Sequence, residues 1–235
     1  KVILIEAYYC GAGATGKSSG FITPNGEIGL SEFVRRYGEN GGLAIWNLLE
    51  KRGMQHIRNN IMKYKIECDY TEEDSLEVAS TEKDLNIILK EAEYLAKFGF
   101  ETRFTKKEDI PQYLGSDRYY GGVTYGKNFG ISAYKYCQAM KDILIHQGVE
   151  IYEETPVLKL QDHLVKTLHA TVKGNTIVVC ADRFIPSLGK LTKEIYQVQN
   201  FLLISQALTD QEIYTIFPKT KLMIWDTELI YNFYR

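Results

Sequence analysis

Apolar positions along the chain change period several times, and each change marks an element. Residues 2–5, Val-Ile-Leu-Ile, form an unbroken apolar run of the kind a parallel sheet buries on both faces. Turn-forming residues follow, among them Pro24, Asn25 and Gly26. Ser31 predicts the cap of a helix over 32–36 that ends near Gly38. A longer helix should follow, with Leu43, Trp46, Leu49, Met54, Ile57 and Ile61 near helical spacing. Alternation at 65–70 and 75–79 predicts two strands around the acidic turn Glu72, Glu73 and Asp74. Thr81 then caps an amphipathic helix, where Leu85, Ile88, Leu89, Ala92 and Leu95 share one face.

The second half repeats this alternation. Residues 101–130 are loop-rich, with Pro111 in a short helical turn and a strand at 119–125. A helix over 132–147 precedes strands near 149–153, 157–161, 164–172 and 175–180, with a turn at Lys173, Gly174 and Asn175. Strand-like stretches at 201–207, 222–226 and 229–235 enclose a short helix near 210–217. Such interleaving predicts an α/β plus α+β chain.

Composition narrows the field. Hydrophobic content of 45%, charged content of 25% and a net charge of -2 fit a globular domain and give no basic footprint for nucleic acid. No apolar run approaches the ~18 residues of a membrane span. The four cysteines form no C-x-x-C pair and the histidines are scattered, so no metal site is expected, and reduced thiols point to the cytoplasm.

A literal G-x-G-x-x-G stands at Gly11, Gly13 and Gly16. A dinucleotide fingerprint needs a strand directly before the glycines and a helix directly after, so that the pyrophosphate meets the helix N-terminus. Here Ala7 to Cys10 intervene, and Lys17, Ser18, Ser19 and Gly20 continue as loop chemistry. Residues 1–6 fit better as the second strand of a Rossmann unit, where a carboxylate at the strand's end accepts hydrogen bonds from a ribose. Glu6 has that type and place. The true fingerprint would then lie upstream of Lys1, and the absence of Met at position 1 fits a truncated sequence.

Leu4-Ile5-Glu6-Ala7, with Gly13-Ala14-Thr15-Gly16-Lys17-Ser18-Ser19-Gly20-Phe21, resembles the FAD-dependent D-amino-acid-oxidase-like superfamily just after its glycine fingerprint. The helix opening at Tyr134-Lys135-Tyr136-Cys137-Gln138 and the run from Gly148-Val149-Glu150-Ile151 to Thr155-Pro156-Val157 keep the family's order. So do Trp225-Asp226-Thr227 and Tyr231-Asn232-Phe233-Tyr234-Arg235. The resemblance is nearest to gamma-glutamylputrescine-type members.

It implies a Rossmann-like FAD-binding domain, its first strand missing, built from residues 1–30 and 145–195. A mixed-sheet substrate domain would be interleaved with it, from residues 31–144 and 196–235. It also implies FAD contacts by Glu6, Ala7, the Gly13–Gly20 loop (Gly13, Ala14, Thr15, Gly16, Lys17, Ser18, Ser19, Gly20) and the backbone of Val157. Glycines let backbone N–H groups approach an anion, and the loop's hydroxyls and Lys17 add donors and charge. Tyr231 and Arg235 would face a substrate carboxylate, which arginine's planar fork suits. Ala181-Asp182-Arg183-Phe184 departs from the family's glycine-bearing motif.

The implied activity is oxidation of an amine or amino acid by hydride transfer to flavin; no side chain is singled out as a general base. Two alternatives stand beside it. One is a non-catalytic fragment that holds FAD weakly or not at all, prone to self-association through an exposed sheet edge. The other is NAD binding through Gly11–Gly16.

Overall fold

The computed structural model describes residues 1–24, 28–219 and 222–235. The predicted turn at Asn25 and Gly26 lies outside the described residues. The chain divides into two compact units, each built from two stretches of sequence: residues 1–18 with 133–203, and residues 19–132 with 204–235.

In the first unit the strand Ile3–Ile5 pairs in parallel with Glu150–Tyr152, with Ile3 opposite Glu150 and Ile5 opposite Tyr152. The helix Ala133–His146 feeds that second strand. It ends at Gly148, whose φ of 84° lets the chain reverse while Val149 N–H returns to the Leu144 carbonyl at 3.0 Å. An antiparallel meander follows: Val157–Gln161, Leu164–Thr167 and Thr171–Lys173, with Leu164–Thr167 central. The turn between its first two strands carries Asp162 in the left-handed region. Among the described residues of this unit only Cys10 and Thr167 are buried.

The second unit holds a five-stranded mixed sheet in the order Phe233–Tyr234, Met223–Asp226, Ser75–Val78, Gly121–Tyr125, Thr102–Lys106. Met223–Asp226 runs parallel to Ser75–Val78; the other neighbours are antiparallel. Alternating side chains divide the core between the sheet's faces. Leu76, Val78 and Ile224 pack with Ile110, Leu114 and Tyr119. Val123 and Tyr125 pack with Leu30, Trp46, Ile88, Ala92 and Leu95 from the helices Leu30–Asn47 and Glu82–Lys97. Thr81 caps the second of these helices by accepting Asp84 N–H at 3.1 Å. A smaller sheet pairs Phe21–Ile22 and Thr71–Glu72 with Phe129–Gly130.

Several expected elements differ. Ser31 does not cap its helix. Gly29 occupies the N-cap, and Ser31 N–H donates to Glu91 at 3.1 Å. The helix continues past Gly38 with a kink, where φ is 72° and ψ 169°, and the ladder widens to a π-helix over Leu48–Met54. Residues 65–70 are not a strand. Lys65 takes the left-handed conformation that ends helix Gln55–Tyr64, and Asp69 is left-handed too. Ile66 and Cys68 are buried alternately while their backbone bonds run to Ile61 and Ser132, outside any strand, which produces the misleading period. Residues 175–180 and 201–207 likewise form no strand, since apolar alternation supplies no hydrogen-bond partner. Leu203 is 92% exposed. In 229–235 only Phe233–Tyr234 pairs, and Leu229 is 99% exposed in the preceding loop.

Candidate cofactor and substrate sites

Glu6 follows the strand Ile3–Ile5 and extends its pairing. Its N–H donates to the Tyr152 carbonyl at 2.9 Å, and its carbonyl accepts Thr155 N–H at 2.9 Å. The chain then turns, and Glu6 Oε1 accepts Tyr8 N–H at 3.0 Å. A half-buried carboxylate therefore stands at the carboxyl end of a parallel strand, where open α/β sheets bind their ligands. Ala7 is exposed at the bend.

A second carboxylate supports this turn. Glu153 follows Tyr152 as Glu6 follows Ile5, and those two residues are register partners. Glu153 Oε1 accepts Cys10 N–H at 2.7 Å, and both its oxygens lie 3.3 Å from Lys141 Nζ. The Cys10 N–H, followed by Lys141, holds the Glu153 carboxyl below the usual carboxylate range despite opposing desolvation. Burial, reinforced by Glu153, pushes the Cys10 thiol up to about 11. Burial, reinforced by the negative Glu6, raises Cys137. Neither thiol is a ready nucleophile at neutral pH.

The glycine-rich loop begins in the first unit and ends in the second. No α-helix opens after Gly11, Gly13 and Gly16; only the 3-10 turn Thr15–Lys17 does, so the literal fingerprint lacks the helix end a pyrophosphate would need. Gly16 is packed against Gly11, whose carbonyl oxygen a Cβ at 16 would overlap, whereas a Cβ at Gly13 would meet nothing within 4 Å. Ala14, Thr15, Lys17 and Ser18 are exposed. Val157 opens an edge strand of the meander, so part of its strand's backbone faces away from the ladder.

In the second unit Ser19 and Gly20 belong to a knot around Arg235. Gly20, with φ 76°, accepts Ile131 N–H at 3.0 Å. Arg235 Nη1 donates to the carbonyls of Ser19 at 3.0 Å and Ile131 at 2.9 Å, and Nε lies 3.6 Å from Glu73 Oε2. The guanidinium rests on Gly130, where any Cβ would collide with it. Tyr231, 40% exposed, packs on Phe233 with ring centroids 5.7 Å apart.

Two polar clusters in this unit lay outside the sequence-based expectations. Glu77 is half-buried beside Tyr125 and Trp225. Asp226, 2% exposed, accepts from Tyr119, Asn232 and the Glu228 backbone. Their strands read as ordinary core, and only a carboxylate within an apolar alternation marks them. Glu153 and Lys141 were also missed, although Ile-Glu and Tyr-Glu ending two neighbouring strands carry a visible signal.

The residues of the first unit fit a flavin nucleotide. Glu6 retains acceptor capacity beyond Tyr8 N–H, Gly13 leaves open space for a close approach, and Lys17 offers exposed positive charge. No described helix is long and apolar enough to cross a membrane.

Known proteins place this geometry in context. The chain is 26% identical over its whole length to "Probable oxidoreductase OrdL" of Haemophilus influenzae and 21% identical to gamma-glutamylputrescine oxidoreductase of Escherichia coli. It spans 56% of each of those proteins. Among solved structures, L-proline dehydrogenase from P. horikoshii shares the fold over 96% of this chain and 57% of its own, with a TM-score of 0.69 and 14% identity. Glycine oxidase from Geobacillus kaustophilus does so over 82% of this chain and 51% of its own, with a TM-score of 0.64 and 17% identity. The sequence profile of the FAD dependent oxidoreductase (DAO) family matches residues 1–233, and the chain belongs to that family, whose cofactor is FAD.

Proposed function

We propose that this chain forms part of a flavoenzyme that oxidises the C–N bond of an amine or amino acid. The observation that carries the proposal is the Glu6 carboxylate at the end of a strand paired in parallel with Glu150–Tyr152. FAD, when bound, supplies the hydride acceptor. Glu6 would accept hydrogen bonds from a ribose, with Ala7 at the bend leaving room beside it. The Gly13–Ser18 backbone, Thr15, Ser18 and Lys17 would meet the phosphates and flavin edge, and Val157 would meet the adenine through its backbone. On this view residues 1–30 and 145–195 serve the cofactor, and residues 31–144 and 196–235 serve the substrate.

Arg235 is held by two carbonyl oxygens and the Glu73 carboxylate, which fixes its plane before any ligand arrives. A guanidinium fixed in this way suits a substrate carboxylate, with Tyr231 as a neighbouring contact. The names of the related enzymes, which include glycine oxidase and L-proline dehydrogenase, support an amino-acid or amine substrate.

The visible absorption spectrum of the purified chain tests the proposal. Near-stoichiometric flavin bands, or their appearance on adding FAD, are expected. A folded protein that takes up no FAD would favour a non-binding segment instead. Glu6→Ala should weaken FAD retention at least tenfold; unchanged retention would remove Glu6 from the site.

A further inference from the structure

The Ala7–Gly11 turn follows Glu6 and is closed locally by two bonds, Tyr8 N–H to Glu6 Oε1 at 3.0 Å and Ala12 N–H to the Tyr9 carbonyl at 2.9 Å. Ala7, Tyr8 and Tyr9 are exposed, and Gly11 takes φ 90°. The turn is fastened from outside at the Cys10 peptide groups. Glu153 accepts Cys10 N–H at 2.7 Å, and Gln138 Nε2 donates to the Cys10 carbonyl. Lys141, one helical turn beyond Gln138 on the same helix, sits 3.3 Å from both Glu153 oxygens. Next to Glu153, Glu154 N–H donates to the Tyr8 carbonyl at 2.6 Å, in a left-handed conformation with φ 51°.

The peptide group that Glu6 braces against, Tyr8, is thus two residues from the one Glu153 holds. A charge-assisted bond to a backbone N–H is among the stronger fasteners available to an exposed turn. The Cys10 N–H and then Lys141 favour the charged carboxylate, and Lys141 aims it, at a site where neither partner is fully solvated.

We propose that Glu153, clamped by Lys141, is a positioning residue for nucleotide binding, acting through the turn on Glu6. This rests on the assignment of Glu6 to the cofactor site. Glu153 itself need not touch the nucleotide; it fixes the backbone that orients the carboxylate which does.

A double-mutant cycle on the full 235-residue chain tests it, with FAD and, separately, ADP titrated by calorimetry. Glu153→Gln should weaken both ligands about tenfold, the worth of one charge-assisted hydrogen bond. Glu6→Gln should weaken both as well, and the double variant should bind no worse than Glu6→Gln alone, because the two residues act in series. Additive losses, or wild-type affinity in Glu153→Gln, overturn the proposal. Glu150→Gln, which removes the surface pair with Lys1 on the same strand, should leave affinity unchanged. If Glu153→Gln fails to fold, Lys141→Gln in the same cycle decides: a loss non-additive with Glu6→Gln supports the clamp, and wild-type affinity overturns it. A folded wild-type chain that binds neither FAD nor ADP overturns the cofactor assignment itself, a result distinct from a binding wild type with additive variants.

Discussion

Tyr125 and Trp225 stack with ring centroids 6.0 Å apart and planes 6° from parallel, although their strands are separated by Ser75–Val78. Glu77 on that middle strand is the register partner of Trp225, and the Tyr125 hydroxyl donates to its Oε2 at 2.6 Å. A half-buried acid thus lies beside the stacked pair. Burial raises the Glu77 carboxyl above its ordinary value, and the hydrogen bonds from Tyr125 and Trp225 only partly oppose this. The folded state therefore favours the protonated acid. Its stabilising contribution is full below the unfolded carboxylate range and is lost as pH rises through the raised value.

Glu77→Gln should accordingly leave stability unchanged in acid and raise it at neutral pH, because the amide has no charge to bury. Urea unfolding as a function of pH reads this directly. A variant less stable than wild type at neutral pH would mean that the carboxylate form is the one the fold stabilises.

The three glycines of the first loop should respond differently to alanine. Gly16→Ala must displace the Gly11 carbonyl and should cost about 1–3 kcal/mol. Gly13→Ala meets no neighbour, so its melting temperature should stay at the wild-type value while FAD affinity falls if the loop receives the nucleotide. Gly11→Ala combines a φ of 90° with contact against Tyr134 and should destabilise. Thermal melts with and without FAD separate these cases.

Asp226 should be among the most sensitive positions in the second unit. Its carboxylate joins Tyr119 to the loop that leads into Phe233–Tyr234, with Asn232 N–H at 2.9 Å and Asn232 Nδ2 at 2.9 Å. Asp226→Ala removes the acceptor of the buried Tyr119 hydroxyl and of the Asn232 and Glu228 donors together, and should cost about 2–3 kcal/mol, whereas Tyr119→Phe should cost about 1 kcal/mol. Denaturant titration ranks them. Equal costs would show that the tyrosine hydroxyl, not the backbone loop, carries the cluster.

Thiol labelling should be strongly uneven. Cys180 is exposed, Cys68 is buried, and Cys10 and Cys137 are raised by desolvation and nearby negative charge. At neutral pH a thiol reagent should modify Cys180 first and Cys10 and Cys137 slowly, as followed by mass spectrometry. Glu153→Gln should accelerate Cys10, since it removes a carboxylate that raises that thiol.

Much of the architecture was readable from periodicity because the relevant elements make their own hydrogen bonds or bury one clear face. The helix from Thr81 has its cap, its stripe of Leu85, Ile88 and Ala92, and its charged side in sequence. The strand segments that failed, 65–70, 175–180 and 201–207, share one cause: alternation reports which side chains are covered, and a ladder needs a partner that local sequence does not name. The site shows the same division. Glu6 and the glycine loop could be nominated as candidates because strand-end carboxylates and glycine clusters are local signals. The Glu153–Lys141 clamp depends on the Ile5–Tyr152 register, across about 147 residues of chain, and the Arg235 knot depends on carbonyls whose owners reveal nothing by residue type.

Both hydrophobic clusters belong to the second unit, while the first buries only Cys10 and Thr167 among its described residues. Hydrogen exchange should therefore be fast across Ile3–Ile5 and Glu150–Tyr152 and slow across Ser75–Val78 and Gly121–Tyr125. A ligand that binds only the ordered first unit adds its mass-action free energy, about 2.7 kcal/mol at a hundredfold excess over its dissociation constant, to the unit with the least of its own. Flavin supply would then govern how long this half of the molecule escapes proteolysis, making the cofactor a condition of the protein's persistence as well as of its chemistry.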